Sequence, residues 1–163
     1  MQAETKVREL LGLVLALALA AGCGGRGERE EESDGSEKLS AFELEHGIGP
    51  VKEAMALGAL DPALAANGKA VYETKCSMCH KMDTTYVGPP LGQVTSRRTP
   101  AFIMNMILNP QEMVERHPVA KQLLAERMSF MPNQQLTMED ARAVLEYLRT
   151  EAKGPPQESP KEE

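Results

Sequence analysis

The stretch CSMCH, Cys76-Ser77-Met78-Cys79-His80, places two cysteines and a histidine in five consecutive positions. Three chemistries use spacings of this kind. A redox dithiol of the thioredoxin type needs a strand-to-helix setting in a βαβ unit. A structural zinc site needs two further Cys or His ligands. Haem attachment needs C-x-x-C-H, and the five residues already supply it. In that last case each thiol forms a thioether with a haem vinyl group, and the adjoining imidazole is held within reach of the iron.

The remaining cysteine and histidines bear on the choice. The chain has three cysteines, and the third, Cys23, stands far from the motif at the end of an export-like segment. Its other histidines, His46 and His117, are separated in sequence and unpaired, so zinc lacks ligands. No segment alternates apolar and polar residues as a strand would, so the dithiol lacks its fold. Haem attachment is the reading that needs nothing more.

Composition agrees with a soluble globular domain: 42% of residues are hydrophobic and 26% charged, yet aromatics reach only 4% and Trp is absent. Aromatic side chains supply much of the buried area in small cores. A domain short of them profits from a large apolar plate at its centre, which a covalently held porphyrin provides.

The N-terminus reads as a targeting segment covering residues 1–22. Lys6 and Arg8 precede an apolar run from Leu10 to Ala21, too short to span a bilayer but suited to a secretory signal. It ends in Ala20-Ala21-Gly22-Cys23, resembling a bacterial lipoprotein signal in which Cys23 is lipidated. An ordinary cleaved export signal and an uncleaved anchor are the weaker alternatives. Residues 23–38, rich in Gly, Ser and Glu, bury too little apolar surface to order and are expected to form an acidic tether. Residues 154–163 read as a disordered tail.

The net charge of −6 is unevenly placed. Residues 61–153 carry 11 basic and 10 acidic side chains, whereas residues 23–60 carry 4 and 9. A near-neutral folded part with its acidity in tether and tail does not suggest nucleic-acid binding. No Ser/His/Asp set, carboxylate pair or phosphate-binding glycine loop competes with the CSMCH stretch.

Between the termini, helix signals recur and predict an all-α domain over residues 62–153, preceded by an ordered arm at 39–61 with room for a short helix. Asp61-Pro62, Thr99-Pro100 and Asn109-Pro110 each set an N-cap residue before a proline at the first helical position. Asn109 with Glu112 resembles a capping box. Leu64, Gly68, Val71 and Tyr72 follow one helix face, as do Ala141, Val144, Leu145 and Leu148 behind Thr137. The predicted helices run from about 62 to 76, 100 to 108, 110 to 127 and 138 to 151, with His117-Pro118 breaking or kinking the third.

From about residue 62 to 151 the chain resembles a class I cytochrome c. Four separated motifs carry the likeness. They are the CSMCH stretch, Gly68 with Tyr72 in the first helix, Gly88-Pro89-Pro90-Leu91-Gly92, and Met131-Pro132 ahead of the last helix. Arg97 through Pro110 also resembles a membrane-tethered bacterial subgroup. The resemblance implies a single haem c, bound through Cys76 and Cys79, with His80 as one axial ligand and Met131 as the other. It implies that the carbonyl of Pro89 accepts the second ring N–H of His80. Met128 lies three residues from Met131 but lacks the following proline, and Met104 and Met106 read as core. Arg97 and Arg98 follow the Pro89 loop, where this family often places cations against the haem propionates. Phe102 stands where the family frequently has Trp. Lys75 and Lys81 flank the attachment motif and either steer an acidic partner or are simply solvated.

A haem closed by His80 and Met131 leaves one-electron exchange as its chemistry. The expected function is therefore a membrane-tethered carrier between respiratory complexes on the periplasmic or outer side. By the resemblance, its donor is a quinol-oxidising complex and its acceptor a terminal oxidase or a periplasmic reductase such as nitrous oxide reductase. Two other readings stay open at this point. One is a haem-based ligand sensor or weak peroxidase with a displaceable sixth ligand. The other is a fixed electron-relay subunit of a larger complex.

Overall fold

The computed structural model describes residues 38–152. The expected signal segment, the lipidation at Cys23, all of the acidic tether but its last residue, and the tail at 154–163 lie outside the described residues.

Within them the chain is all-α. Seven helices are present among the described residues: α1 (Ala41–His46), α2 (Pro62–Lys75), α3 (Val94–Arg97), α4 (Pro100–Leu108), α5 (Pro110–Arg116), α6 (Pro118–Arg127) and α7 (Met138–Glu151). The caps explain most boundaries. Asp61 Oδ1 accepts from the backbone N–H groups of Ala63 and Leu64 ahead of α2. Thr99 Oγ1 accepts from Phe102 N–H at the start of α4. Thr137 and Asp140 form a capping box at α7, and Ser40 with Glu43 does the same at α1. In each box two otherwise orphaned N–H groups are satisfied reciprocally.

At Asn109 the expected capping box does not form. Its side chain accepts no backbone N–H from the first turn of α5. Instead Nδ2 donates to Glu112 Oε2 at 2.8 Å and to the Ile48 carbonyl at 3.3 Å. The amide is drawn across to the N-terminal arm, and Pro110 alone starts the helix. At His117 the chain leaves helical geometry and restarts at Pro118, so the predicted third helix is two, α5 and α6. The short α3 has no side-chain cap.

The central packing is the crossing of α2 over α7. Gly68 makes it close: a Cβ there would stand 1.9 Å from the Ala143 carbonyl oxygen. Tyr72 and Tyr147 meet across the same crossing with ring centroids 5.3 Å apart. Ala141, Val144, Leu145 and Leu148 are all buried on the inner face of α7 and join Ala101, Met104 and Ile107 of α4 in the main core. A second cluster of Ile48, Phe102, Met113 and Ala120 ties the arm to α4, α5 and α6.

Two buried polar residues lock the arm. Asn105, 0% exposed, accepts from Val51 N–H at 2.9 Å and donates to the carbonyls of His46 and Val51, each at 3.0 Å. Glu146, also 0% exposed, accepts from the Asp61 N–H at 2.9 Å and from Arg149 and Arg142. Burial raises the Glu146 carboxyl, but the Asp61 N–H and the two arginines outweigh it and hold the group below its usual range.

Candidate haem site

The CSMCH stretch begins as α2 ends. Cys76 closes the helix by donating its N–H to the Tyr72 carbonyl, and Cys79 and His80 both donate to the Cys76 carbonyl at 3.0 and 2.9 Å. This tight winding presents Cys76, Cys79 and His80 to one cleft. The Tyr72 hydroxyl donates to the His80 carbonyl at 2.7 Å, fastening the end of the motif to α2.

The loop that follows folds back on the motif. Gly88 donates its N–H to the Cys79 carbonyl at 2.8 Å. His80 Nδ1 lies 2.9 Å from the Pro89 carbonyl oxygen. That oxygen can only accept, so Nδ1 carries the proton and Nε2 keeps its lone pair for a metal. Gly88 is needed beside the ring, because a Cβ there would be 2.3 Å from His80 Cε1.

The cleft, counted together with the solvent-open space at its mouth, spans about 1180 Å³. Its wall is mainly apolar, with Phe102, Ile103, Met106 and Ile107 from α4, Leu123 and Leu124 from α6, and Val144 and Leu148 from α7. Met131 and Pro132 come from the segment between α6 and α7. That segment starts at Met128, in the left-handed region with φ 50°, and is held where Asn133 Nδ2 donates to the Leu108 carbonyl at 3.3 Å. Met128 itself is 91% exposed and forms no part of the wall.

Of the residues singled out in the sequence, Cys76, Cys79, His80, Pro89 and Met131 come together here, with Lys75 at the rim. Arg97 and Arg98 do not line the cleft. Arg97 donates to the Gln93 and Pro90 carbonyls, and Arg98 lies over the Phe102 ring at 5.2 Å. Lys81 donates to the Ser77 carbonyl and sits over the Tyr86 ring, also at 5.2 Å. Sequence reasoning did not single out Arg127 or most of the aliphatic wall, and Met106, read as core, packs against the second core cluster and lines the cleft as well. Arg127 had a readable signal: Ala120, Leu123, Leu124 and Arg127 follow i, i+3, i+4, i+7 spacing, so the arginine falls on the apolar face.

The wall fits a haem. A flat apolar plate matches the aliphatic lining, two thiols and an imidazole lacking only a metal stand on one side, and a thioether stands among the other wall residues. The buried Nε of Arg127 has no hydrogen-bond partner among the described residues, which suits a group bringing its own acceptors. The other two chemistries fit less well. Burial, and secondarily Cys79, push the Cys76 thiol up to about 11, whereas a redox dithiol works through a lowered pKa. Among the described residues no group of three or more His, Cys, Asp or Glu side chains is placed to hold a metal ion.

Comparison with known proteins points the same way. Residues 65–152 match the family model described as cytochrome c. The chain is 45% identical over 47 residues to cytochrome c-551 of Stutzerimonas stutzeri, a match spanning 26% of this chain and 45% of that protein's length. The solved cytochrome c from Rhodothermus marinus is 46% identical with a TM-score of 0.65, covering 69% of this chain and 97% of its own. An engineered form of that protein, solved bound to a carbene intermediate, is also 46% identical with a TM-score of 0.62, covering 68% and 96%.

Proposed function

The chain belongs to the cytochrome c family and carries a covalently attached c-type haem for electron transfer, and we propose that it is a monohaem carrier with His80 and Met131 as axial ligands, held to a membrane through lipidated Cys23. The observation that carries the ligand assignment is the His80 Nδ1–Pro89 carbonyl bond. It orients the ring, sets the tautomer and leaves Nε2 facing a cleft that Met131 also lines. Exposed Met128 is no competitor, and Met106 is fixed within α4.

With both positions filled, the haem has no site for substrate, and its chemistry is one-electron exchange. Thioether ligation favours the ferrous state and raises the potential relative to two histidines. The protein's own residues position and shield. Cys76 and Cys79 anchor one edge, α4, α6 and α7 exclude water, and Met78, Tyr86 and Val87 stand exposed beside the anchored edge, where a partner would dock. The partners consistent with this reading are a quinol-oxidising complex as donor and a terminal oxidase or periplasmic reductase as acceptor. The tether would keep exchange close to the membrane.

The visible spectrum of the protein, made in a host that attaches haem, tests the reading. A c-type reduced spectrum, a far-red methionine–iron band when oxidised, and indifference to carbon monoxide are expected. Met131→Ala should abolish the band and Met128→Ala should leave it. Ready carbon monoxide binding by the unmodified protein would favour a sensor or peroxidase instead. Cys23→Ser should move the protein from the membrane to the soluble fraction.

A further inference from the structure

Arg127 ends α6 with its Nε buried and without a hydrogen-bond partner among the described residues. Leaving a buried N–H unsatisfied is costly, and more so when the group is charged. The arrangement therefore calls for an acceptor, and the cleft itself offers no carboxylate: its charged wall residues are Lys75 and Arg127, with no Asp or Glu. The neighbouring Glu126 accepts from Gln122 at 2.9 Å.

A haem carries two propionates on the edge opposite its vinyl groups. Cys76 and Cys79 hold the vinyl edge, and Lys75 adjoins Cys76 in the chain. Arg127 is then the cation available to the propionate edge. Arg97 is engaged with the Pro90 and Gln93 carbonyls, and Arg98 lies over Phe102. We propose that Arg127, rather than Arg97 or Arg98, binds a haem propionate and keeps it ionised. This rests on the haem reading and adds a residue that reading does not require.

The consequence is electrochemical. A propionate paired with a guanidinium in a poorly solvated cleft stays ionised, so the reduction potential follows pH weakly. Without the cation its proton affinity rises. It rises further when the iron gains an electron, so a proton from solvent is taken up with that electron.

Potentiometric titration of the haem-loaded protein between pH 5 and 8 tests this with Arg127→Gln and Arg127→Lys. In Arg127→Gln the midpoint should fall and acquire a steeper pH slope. The limit is tenfold in the reduction equilibrium constant per pH unit, or 59 mV for one electron. Arg127→Lys, which keeps the charge, should remain near the unmodified profile. Unmodified potential and slope in Arg127→Gln, with haem held, would overturn the proposal, as would an equal disturbance in both variants. If Arg127→Gln does not fold, Arg127→Lys decides: an unmodified slope supports the pairing and a steep one refutes it. Failure of the unmodified chain to take haem would instead refute the haem reading, a separate outcome.

Discussion

Gly68 on α2 lies so close to α7 that a Cβ there would stand 1.9 Å from the carbonyl oxygen of Ala143 and 2.9 Å from the amide nitrogen of Val144. Both obstacles are helix backbone, which cannot rotate aside as a side chain would. The two helices meet at this point to close one side of the cleft. Gly68→Ala should therefore destabilise the protein by about 3 kcal/mol or more, beyond the usual cost of overpacking. Gly58→Ala, at a position with nothing within 4 Å, should change stability by no more than about 0.5 kcal/mol. Urea unfolding of both haem-loaded variants checks the contrast, and equal effects would remove the helix crossing as the cause.

Gly88→Ala acts on the site rather than the scaffold. A Cβ at residue 88 would fall 2.3 Å from His80 Cε1 and 2.6 Å from Nδ1. The ring would have to turn, breaking its hydrogen bond to Pro89. The expected result is a protein that still holds haem through Cys76 and Cys79 but with weakened His80 ligation. It should appear as carbon monoxide binding in the reduced state, where none is expected of the unmodified protein. An unchanged spectrum would mean the loop moves instead of the ring.

Asn105→Leu tests the arm. The substitution removes the acceptor for Val51 N–H and the donor to the His46 and Val51 carbonyls. Each buried group left unsatisfied costs about 1–3 kcal/mol, though the arm's ability to lift into solvent limits the total to about 2–4 kcal/mol. Limited proteolysis should then cut between residues 38 and 60 well before the rest. A resistant arm with unchanged stability would show that Ile48 and Val51 hold it without the amide.

His117 makes the fold sensitive to mild acid. It is 0% exposed, packs edge-on against Phe102, and sits with Nε2 against the Leu44 carbonyl and Nδ1 accepting from Val119 N–H. Burial lowers its pKa, with the positive charge of Arg98 adding to the effect, while the carbonyls of Leu44 and Glu43 partly oppose it. The unfolded chain thus binds the proton more readily than the folded one. Stability should be full above about pH 6.5 and decline as pH falls below it, by at most about 1.4 kcal/mol per pH unit. Urea midpoints at pH 7.5 and 5.5 should differ less in His117→Gln than in the unmodified protein. An equal loss in both would place the acid sensitivity elsewhere.

Much of the fold was legible because its signals are local. Asp61, Thr99 and Thr137 each cap a helix within three residues of themselves, and Pro118 breaks the chain by its own ring geometry. The exceptions are instructive. Asn109 and Glu112 have capping-box spacing, yet the Asn109 amide also reaches Ile48, a partner 61 residues away. In sequence Asn105 is a lone polar residue in the apolar run of α4, and Glu146 a charge between apolar neighbours. Both are buried because the arm brings backbone polar groups to meet them, which no local window records.

The sequence alone determined the attachment chemistry, since two thiols and an imidazole spaced within five residues act through covalent proximity. It determined most helices too, because caps and proline operate over one turn. The Met131-Pro132 pair had already favoured Met131 over Met128; only the tertiary structure decided that Arg127 lines the cleft while Arg97 and Arg98 do not, and that Asn105 clasps the arm. Those outcomes depend on how separate elements approach one another. A difference of one position along a turn or helix reverses which way a side chain faces, and only packing settles it.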